Sequence, residues 1–224
     1  MTAAAENRAA GAQELLRQYL DGAEDVCVTS SFQAEDVVVL DMVREILPRV
    51  PVLFLETGYH FPETLQYRDR IAEAWDLNLI NVVPEQSVRD QESQFGILHQ
   101  TAPDRCCALR KVGPLFGALG AYRFWITGLR REQSKSRANL QADEWFKLPG
   151  GVTLRKLNPL AEWSTRDVWE YAGARGIPLL PLYDLGYTSI GCAPCTSLPS
   201  DPDDPRSGRW SGRKLECGIH LQDG

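Results

Sequence analysis

Five of the six cysteines in this chain fall into three small groups: the adjacent pair Cys106 and Cys107, the spaced pair Cys192 and Cys195, and Cys217 close to the C-terminal Gly224. In Cys192-Ala193-Pro194-Cys195 the intervening residues form a tight loop, so two thiolates can converge on one metal while backbone N–H groups point at sulfur. Pro194 stiffens that loop. The adjacent pair is less usual. Neighbouring side chains on a helix diverge by about 100°, so both reach one centre only at a distorted helix start. That geometry suits a large, multi-atom target. A 4Fe-4S cluster held by Cys106, Cys107, Cys192 and Cys195 is therefore favoured over a four-thiolate zinc site. A vicinal Cys106–Cys107 disulfide serving as a redox switch and a Cys192/Cys195 dithiol compete with both metal sites for the same sulfurs. Cys217, outside the four, reads as a nucleophile. Cys27 lies in the apolar run Val26-Cys27-Val28, where a free cysteine behaves as a small buried hydrophobe.

These residues need a scaffold, and the composition supplies one. The 224 residues, 43% of them hydrophobic, suffice for one packed domain with a tail. A formal net charge of -6 disfavours nonspecific nucleic-acid binding, which draws on clustered Lys and Arg, so an anionic ligand must meet locally basic patches. The N-terminus shows no targeting pattern and no stretch approaches the apolar length of a membrane span, which predicts a cytoplasmic protein without a membrane partner. In that reducing compartment clustered cysteines serve metals or catalysis more often than structural disulfides.

Along the chain, Val26 to Thr29, Val52 to Leu55, Leu79 to Val83 and Phe124 to Thr127 read as short buried strands. Helical stretches separate or precede them: Ala12 to Leu20, Asp36 to Leu47 and Pro62 to Asp76. This alternation predicts an α/β fold with a doubly wound, mostly parallel sheet, in which ligands collect beyond the carboxyl ends of the strands. The loops to inspect are then residues 30–36, 56–61 and 128–134. Ser164-Thr165-Arg166-Asp167 opens a further helix, read as packing and ended by Gly176 and Pro178. Residues 1–199 form the α/β domain in this reading. The Asp/Pro-rich run Ser200 to Pro205 begins a mobile arm over residues 200–224.

The motifs together resemble the assimilatory sulfonucleotide reductases, in particular their iron–sulfur branch. The stretches that carry the resemblance are Ser31-Phe32-Gln33-Ala34-Glu35-Asp36, Leu55-Glu56-Thr57-Gly58, Cys106-Cys107-Ala108-Leu109-Arg110-Lys111, Gly128-Leu129-Arg130-Arg131-Glu132-Gln133-Ser134, Cys192-Ala193-Pro194-Cys195 and Glu216-Cys217-Gly218-Ile219-His220. They stand in the family's order. The resemblance implies a fold of the adenine nucleotide alpha-hydrolase-like type. It also implies reduction of adenosine 5′-phosphosulfate to sulfite and AMP, with thioredoxin or a similar dithiol protein as electron source. Members without the four cluster cysteines typically use the 3′-phosphorylated nucleotide, so that substrate is the alternative. A homo-oligomer is compatible with the sequence.

Cys217 would attack the substrate sulfur and carry a thiosulfonate, its thiolate favoured by Arg213, Lys214 and His220. The resemblance nominates Lys111, Arg206, Arg209 and His220 to neutralise the phosphosulfate. It nominates Ser30, Phe32, Gln33, Asp36, Leu55, Gly128 and Arg137 for contacts to adenosine or its phosphate, several through main-chain atoms. Arg130 and Arg131 would reach the ribose or phosphate, or else brace a loop through Glu132. The first loop lacks the Gly-Gly pair of ATP-using relatives, which weighs against an ATP-dependent, RNA-acting sulfur-insertion enzyme. Lys111, one turn beyond Cys107, would link the cluster electrostatically to substrate, giving the cluster a structural and electrostatic duty. A noncatalytic metal-binding module is the rival outside enzymology, and for it Cys217 would be incidental.

Overall fold

A computed structural model of the chain describes residues 1–212, 214 and 216–220. Arg213, expected beside the Cys217 thiol, lies outside the described residues. Six strands form one sheet: β1 (Val26–Thr29), β2 (Pro51–Leu55), β3 (Asn78–Val82), β4 (Phe124–Ile126), β5 (Asp143–Lys147) and β6 (Thr153–Leu157). Their spatial order is β3-β2-β1-β4-β6-β5, all neighbours parallel except β5 against β6. The doubly wound, mostly parallel sheet expected from the alternation is thus present. β1 leads outward to β2 on one side and has β4 on the other, so the order reverses between β1 and β4, where such sheets open a crevice.

The helices are α1 (Ala3–Leu20), α2 (Ala34–Arg44), α3 (Pro62–Ala74), α4 (Val88–Phe95), α5 (Leu98–Thr101), α6 (Pro103–Cys107), α7 (Gly113–Leu119) and α8 (Thr165–Ala174). The alternation of strand side chains decides which face each helix covers. Val26, Val28, Val52, Phe54 and Ile126 face a core shared with α1, α2, α3 and α8. Cys27, Leu53 and Trp125 face a smaller core with Leu115 and Leu119 of α7. Both faces of β1, β2 and β4 are covered, as their short apolar runs require, but β3, read as buried over Leu79 to Val83, is an edge strand whose Ile80 is exposed.

Two expectations are corrected in extent. α1 begins nine residues before Ala12 because Thr2 caps it, its hydroxyl accepting from the Ala5 N–H at 3.3 Å. The β5–β6 hairpin adds two strands that the apolar-run pattern misses, because both are rich in charge. Lys156 of β6 is buried and pairs with Glu144 of β5 at 2.9 Å. α8 opens as the Ser-x-x-Asp pattern predicts, with the Asp167 N–H donating to Ser164 Oγ and the Ser164 N–H donating to Asp167 Oδ2.

Candidate active site

The crevice at the reversal point is a cleft of about 460 Å³, lined from three strand ends: Thr29 to Ser31 and Gln33 to Asp36 after β1, Leu53 to Leu55 of β2, and Thr127 to Arg130, Gln133 and Arg137 after β4. That volume suits a nucleotide-sized ligand. In the first loop the Phe32 N–H donates to Ser30 Oγ at 3.1 Å, and Ser31 donates to Asp36 Oδ2 from both its N–H and its hydroxyl at 2.6 Å. Burial nonetheless pushes the Asp36 carboxyl up to about 6. Gln33 reaches across to the far wall, its Oε1 accepting from the Ile190 N–H at 2.7 Å. Phe32 adopts φ 59° and turns its ring into the core against Phe54, so its side chain does not line the cleft. Only main-chain atoms of Phe32 remain for a ligand.

Gly128 follows β4 where the chain crosses the start of α2. A Cβ there would lie 2.4 Å from Asp36 Oδ1 and 3.0 Å from the Asp36 nitrogen, so no side chain fits. Ser30, Gln33, Asp36, Leu55, Gly128, Arg130 and Arg137 all line the cleft. Arg130 is buried and already engaged, donating to Glu35 Oε1 at 2.6 Å and to Trp163 O and Thr165 Oγ1. It braces the β4 loop against α2. Arg131 points elsewhere, to Leu140 O and Glu162.

The four paired cysteines surround one small cavity beside the cleft. Cys106 and Cys107 sit in the last turn of the short helix α6, and the distortion expected at the cysteines comes after them, where the helix widens into a π-turn over Ala108–Val112. Arg110, buried in that turn, donates to Thr57 O at 2.5 Å and to Gln91 Oε1 at 3.2 Å, pinning residues 57–59. Tyr59 O in turn accepts from the Ala193 N–H at 2.7 Å, which fixes the Cys192–Cys195 turn. Burial raises the thiols of Cys106, to about 11, and of Cys107 and Cys195, and neighbouring cysteine sulfurs push the same way. Four thiolates at such proximity repel one another unless a cationic centre offsets them, so the donor set fits a metal group. Among the described residues no three His, Cys, Asp or Glu side chains meet at one point that would hold a single ion.

Lys111 lines both the thiol cavity and the cleft. Burial opposes its charge, but Cys192, Cys217 and Cys107 outweigh that and raise its ammonium above the ordinary lysine range. Of the described residues in the segment read as an arm, Arg206, Arg209, Trp210, Glu216, Cys217 and His220 line the cleft. At their root Ser197 N–H donates to Gly208 O at 2.9 Å, and Thr196 bridges Arg209. Arg209 is buried, stacks on Trp210 at 4.4 Å and fits only because Gly191 has no side chain: a Cβ there would fall 2.2 Å from its Nη2. Further on, Lys214 pairs with Asp104 at 2.5 Å, Ile219 joins the smaller core, and His220 stacks on Trp125 with ring centroids 5.3 Å apart. Burial holds the His220 imidazole well below its usual range, aided by Lys156, Arg137 and Arg206. Cys217, Arg206, Arg209 and His220 all line the cleft opposite the first loop.

Residues without a sequence signal complete the site. Tyr183 OH accepts from the Ala34 N–H at 3.0 Å at the start of α2, and Trp169 of α8, read as packing, also lines the cleft. Glu216 lines it as well, bound to Arg137 at 2.9 Å. Nothing in the spacing of Tyr183 and Trp169 marks them, because only the folded chain brings them to the cleft, whereas Glu216 stands in the stretch beside Cys217 that carries the resemblance, which gives it no role of its own.

The chain matches the family model of the phosphoadenosine phosphosulfate reductase domain over residues 25–198. It is 47% identical over 214 residues to the adenosine 5′-phosphosulfate reductase of Streptomyces coelicolor, covering 94% of this chain and 89% of that one. It is 46% identical over 202 residues to the phosphoadenosine 5′-phosphosulfate reductase of Gloeobacter violaceus, covering 88% and 83%. The crystal structure of the phosphoadenylyl-sulfate reductase from Candida auris, a phosphate complex, superposes with a TM-score of 0.71 at 26% identity over 88% of this chain and 98% of that one. With the match running from the start of β1 past Cys195, and relatives covered almost end to end, the chain belongs to the phosphoadenosine phosphosulfate reductase domain family.

Proposed function

We propose that this protein reduces adenosine 5′-phosphosulfate to sulfite and AMP in assimilatory sulfate reduction, with a dithiol protein such as thioredoxin as reductant. The observation that carries this reading is the single cleft shared by Cys217, the loops after β1 and β4, and the cations Lys111, Arg206 and Arg209. The nucleotide lies along the strand ends, and its phosphosulfate meets those cations and His220. The Cys217 thiolate attacks the sulfur, an S–S bond forms, the S–O bond breaks and AMP leaves with the electron pair. The reductant's thiolate then attacks Cys217 Sγ, sulfite departs with the electron pair, and the second thiol of the reductant resolves the mixed disulfide. Two electrons pass from the dithiol to sulfur. Residues 200–224 act as an arm that closes for the attack and opens to present the adduct. The reaction belongs in a reducing, cytoplasmic compartment, where a dithiol donor is maintained.

Cys106, Cys107, Cys192 and Cys195 would hold a 4Fe-4S cluster, which supplies local charge and structural anchoring when bound. Lys111 lies between that site and the cleft and couples the two electrostatically.

Incubating anaerobically purified protein with adenosine 5′-phosphosulfate, without reductant, is expected to release AMP and leave a sulfonate on Cys217 detectable by mass. Unmodified protein would defeat the reading. Iron and acid-labile sulfide are expected in the same preparation, and zinc without sulfide would replace the cluster. The 3′-phosphorylated nucleotide is the second reading, supported by the similarity to the Gloeobacter enzyme of that name. Turnover rates on the two nucleotides decide between them.

A further inference from the structure

Glu216 stands one residue before Cys217, and its carboxylate is the most heavily bound group on the described part of the arm. Oε1 accepts from Ser134 Oγ and Ser136 Oγ at 3.0 Å and from Arg137 Nε at 3.1 Å. Oε2 accepts from Arg137 Nη2 at 2.9 Å and from Arg206 Nη2 at 3.4 Å. The Arg137–Glu216 pair is bidentate and largely buried, with side chains 12% and 10% exposed. Arg137 is held from behind by Gln133, whose Oε1 also accepts from the Arg130 N–H at 3.0 Å, and Arg130 is fixed to Glu35 of α2. A continuous chain of polar contacts therefore runs from α2 through the β4 loop to the residue beside the thiol.

We propose that Glu216 is the positioning residue of the reaction: its fork with Arg137 sets the register of the arm so that Cys217 sits over the cleft at the attack distance. This rests on the reading of Cys217 as the attacking thiol. Its consequence is that Arg137 serves the arm, with Ser134 and Ser136, instead of the nucleotide phosphate. A displaced nucleophile is costly, since about 1 Å of misplacement can remove on the order of 10²-fold in rate.

Adduct formation on Cys217 in a single turnover, and AMP affinity by calorimetry, separate positioning from binding. Glu216→Gln is expected to slow adduct formation by about 30-fold or more while AMP affinity stays within about threefold. Arg137→Gln is expected to do the same, and the double variant to be no slower than either alone, as coupled partners behave. Glu216→Asp, which keeps the charge on a shorter stem, is expected to fall between, and thermal melts confirm that each variant is folded. Adduct formation by Glu216→Gln at the wild-type rate overturns the proposal. So does a loss of AMP affinity matching the loss of rate, or a tenfold gain, which would mean that the carboxylate competes with the ligand. If the wild-type protein forms no adduct, the functional reading itself fails. If wild type and variants form it alike, that reading stands and the role of Glu216 does not.

Discussion

The cysteine quartet and the C-terminal arm hold their sulfurs in opposite ways. Around the quartet, backbone is fixed to backbone and to a buried cation: α6 carries Cys106 and Cys107, the Cys106 N–H donating to Ala102 O, Arg110 pins residues 57–59, and the Tyr59 carbonyl pins Ala193. Cys217 sits among side-chain contacts instead, the Glu216 fork, the Lys214–Asp104 pair and the Ile219 and His220 anchors. A ligand sulfur must stay where it is, whereas a nucleophile must meet two different partners, the nucleotide sulfur and then an incoming thiolate. Contacts made by side chains can be released one by one without unfolding a sheet or helix.

The sharpest way to break this contrast is to exchange one sulfur from each region for oxygen. Cys217→Ser is expected to abolish adduct formation and sulfite release, at least about 10³-fold, while metal content and melting temperature stay near wild type. Cys192→Ser is expected to do the reverse first, losing metal and stability. Residual turnover by Cys217→Ser near the wild-type rate, or loss of metal from it, would erase the distinction.

Arg110→Met probes the rigid region without touching a sulfur. It leaves Thr57 O and Gln91 Oε1 without their buried donor, and each orphaned acceptor costs about 1–3 kcal/mol. A destabilisation of roughly 3 kcal/mol in chemical denaturation is expected, with weaker metal retention, because the Tyr59 carbonyl that fixes Ala193 would shift. A change below about 1 kcal/mol would show that residues 57–59 are held by something other than Arg110.

The strands that position the site were legible because they are nearly continuous apolar runs, which a sheet buried on both faces requires. β5 and β6 were not. Asp143–Lys147 carries three charges and Thr153–Leu157 two, which breaks any apolar run, and buried Lys156 is offset by Glu144, a partner on another strand. The glycine pair Gly150 and Gly151, both at positive φ, was the available hairpin signal. The grouping of the cysteines could be read because it lies in the spacing, and the fold brings the four paired ones to one cavity and Cys217 to the cleft. Gly191 could not, since it matters through the space it leaves for Arg209, and Glu216, though it stands in a stretch that carries the resemblance, showed no role because its partner Arg137 is 79 positions away. For Arg130 and Arg131 both roles stood open, a ligand contact or a brace through Glu132, and the partners found in the fold are Glu35 for Arg130, which still lines the cleft, and Glu162 for Arg131.

The gentlest test asks how the arm end is attached. Ile219 is 8% exposed in the smaller core beside Leu115, Trp125 and Phe146, and truncating such a side chain in a fixed core costs about 2–5 kcal/mol. An arm end has another option, since it can leave the core instead of keeping a cavity in it. The cost of Ile219→Ala is then capped at the free energy of docking, and a global destabilisation below about 1 kcal/mol is expected. The loss would appear locally, as faster amide exchange over residues 214–220 with residues 103–112 unchanged. If Ile219→Ala instead lowers global stability by about 3 kcal/mol and exchange rises across both regions alike, the arm is an integral part of the second core. Opening it would then require breaking that core.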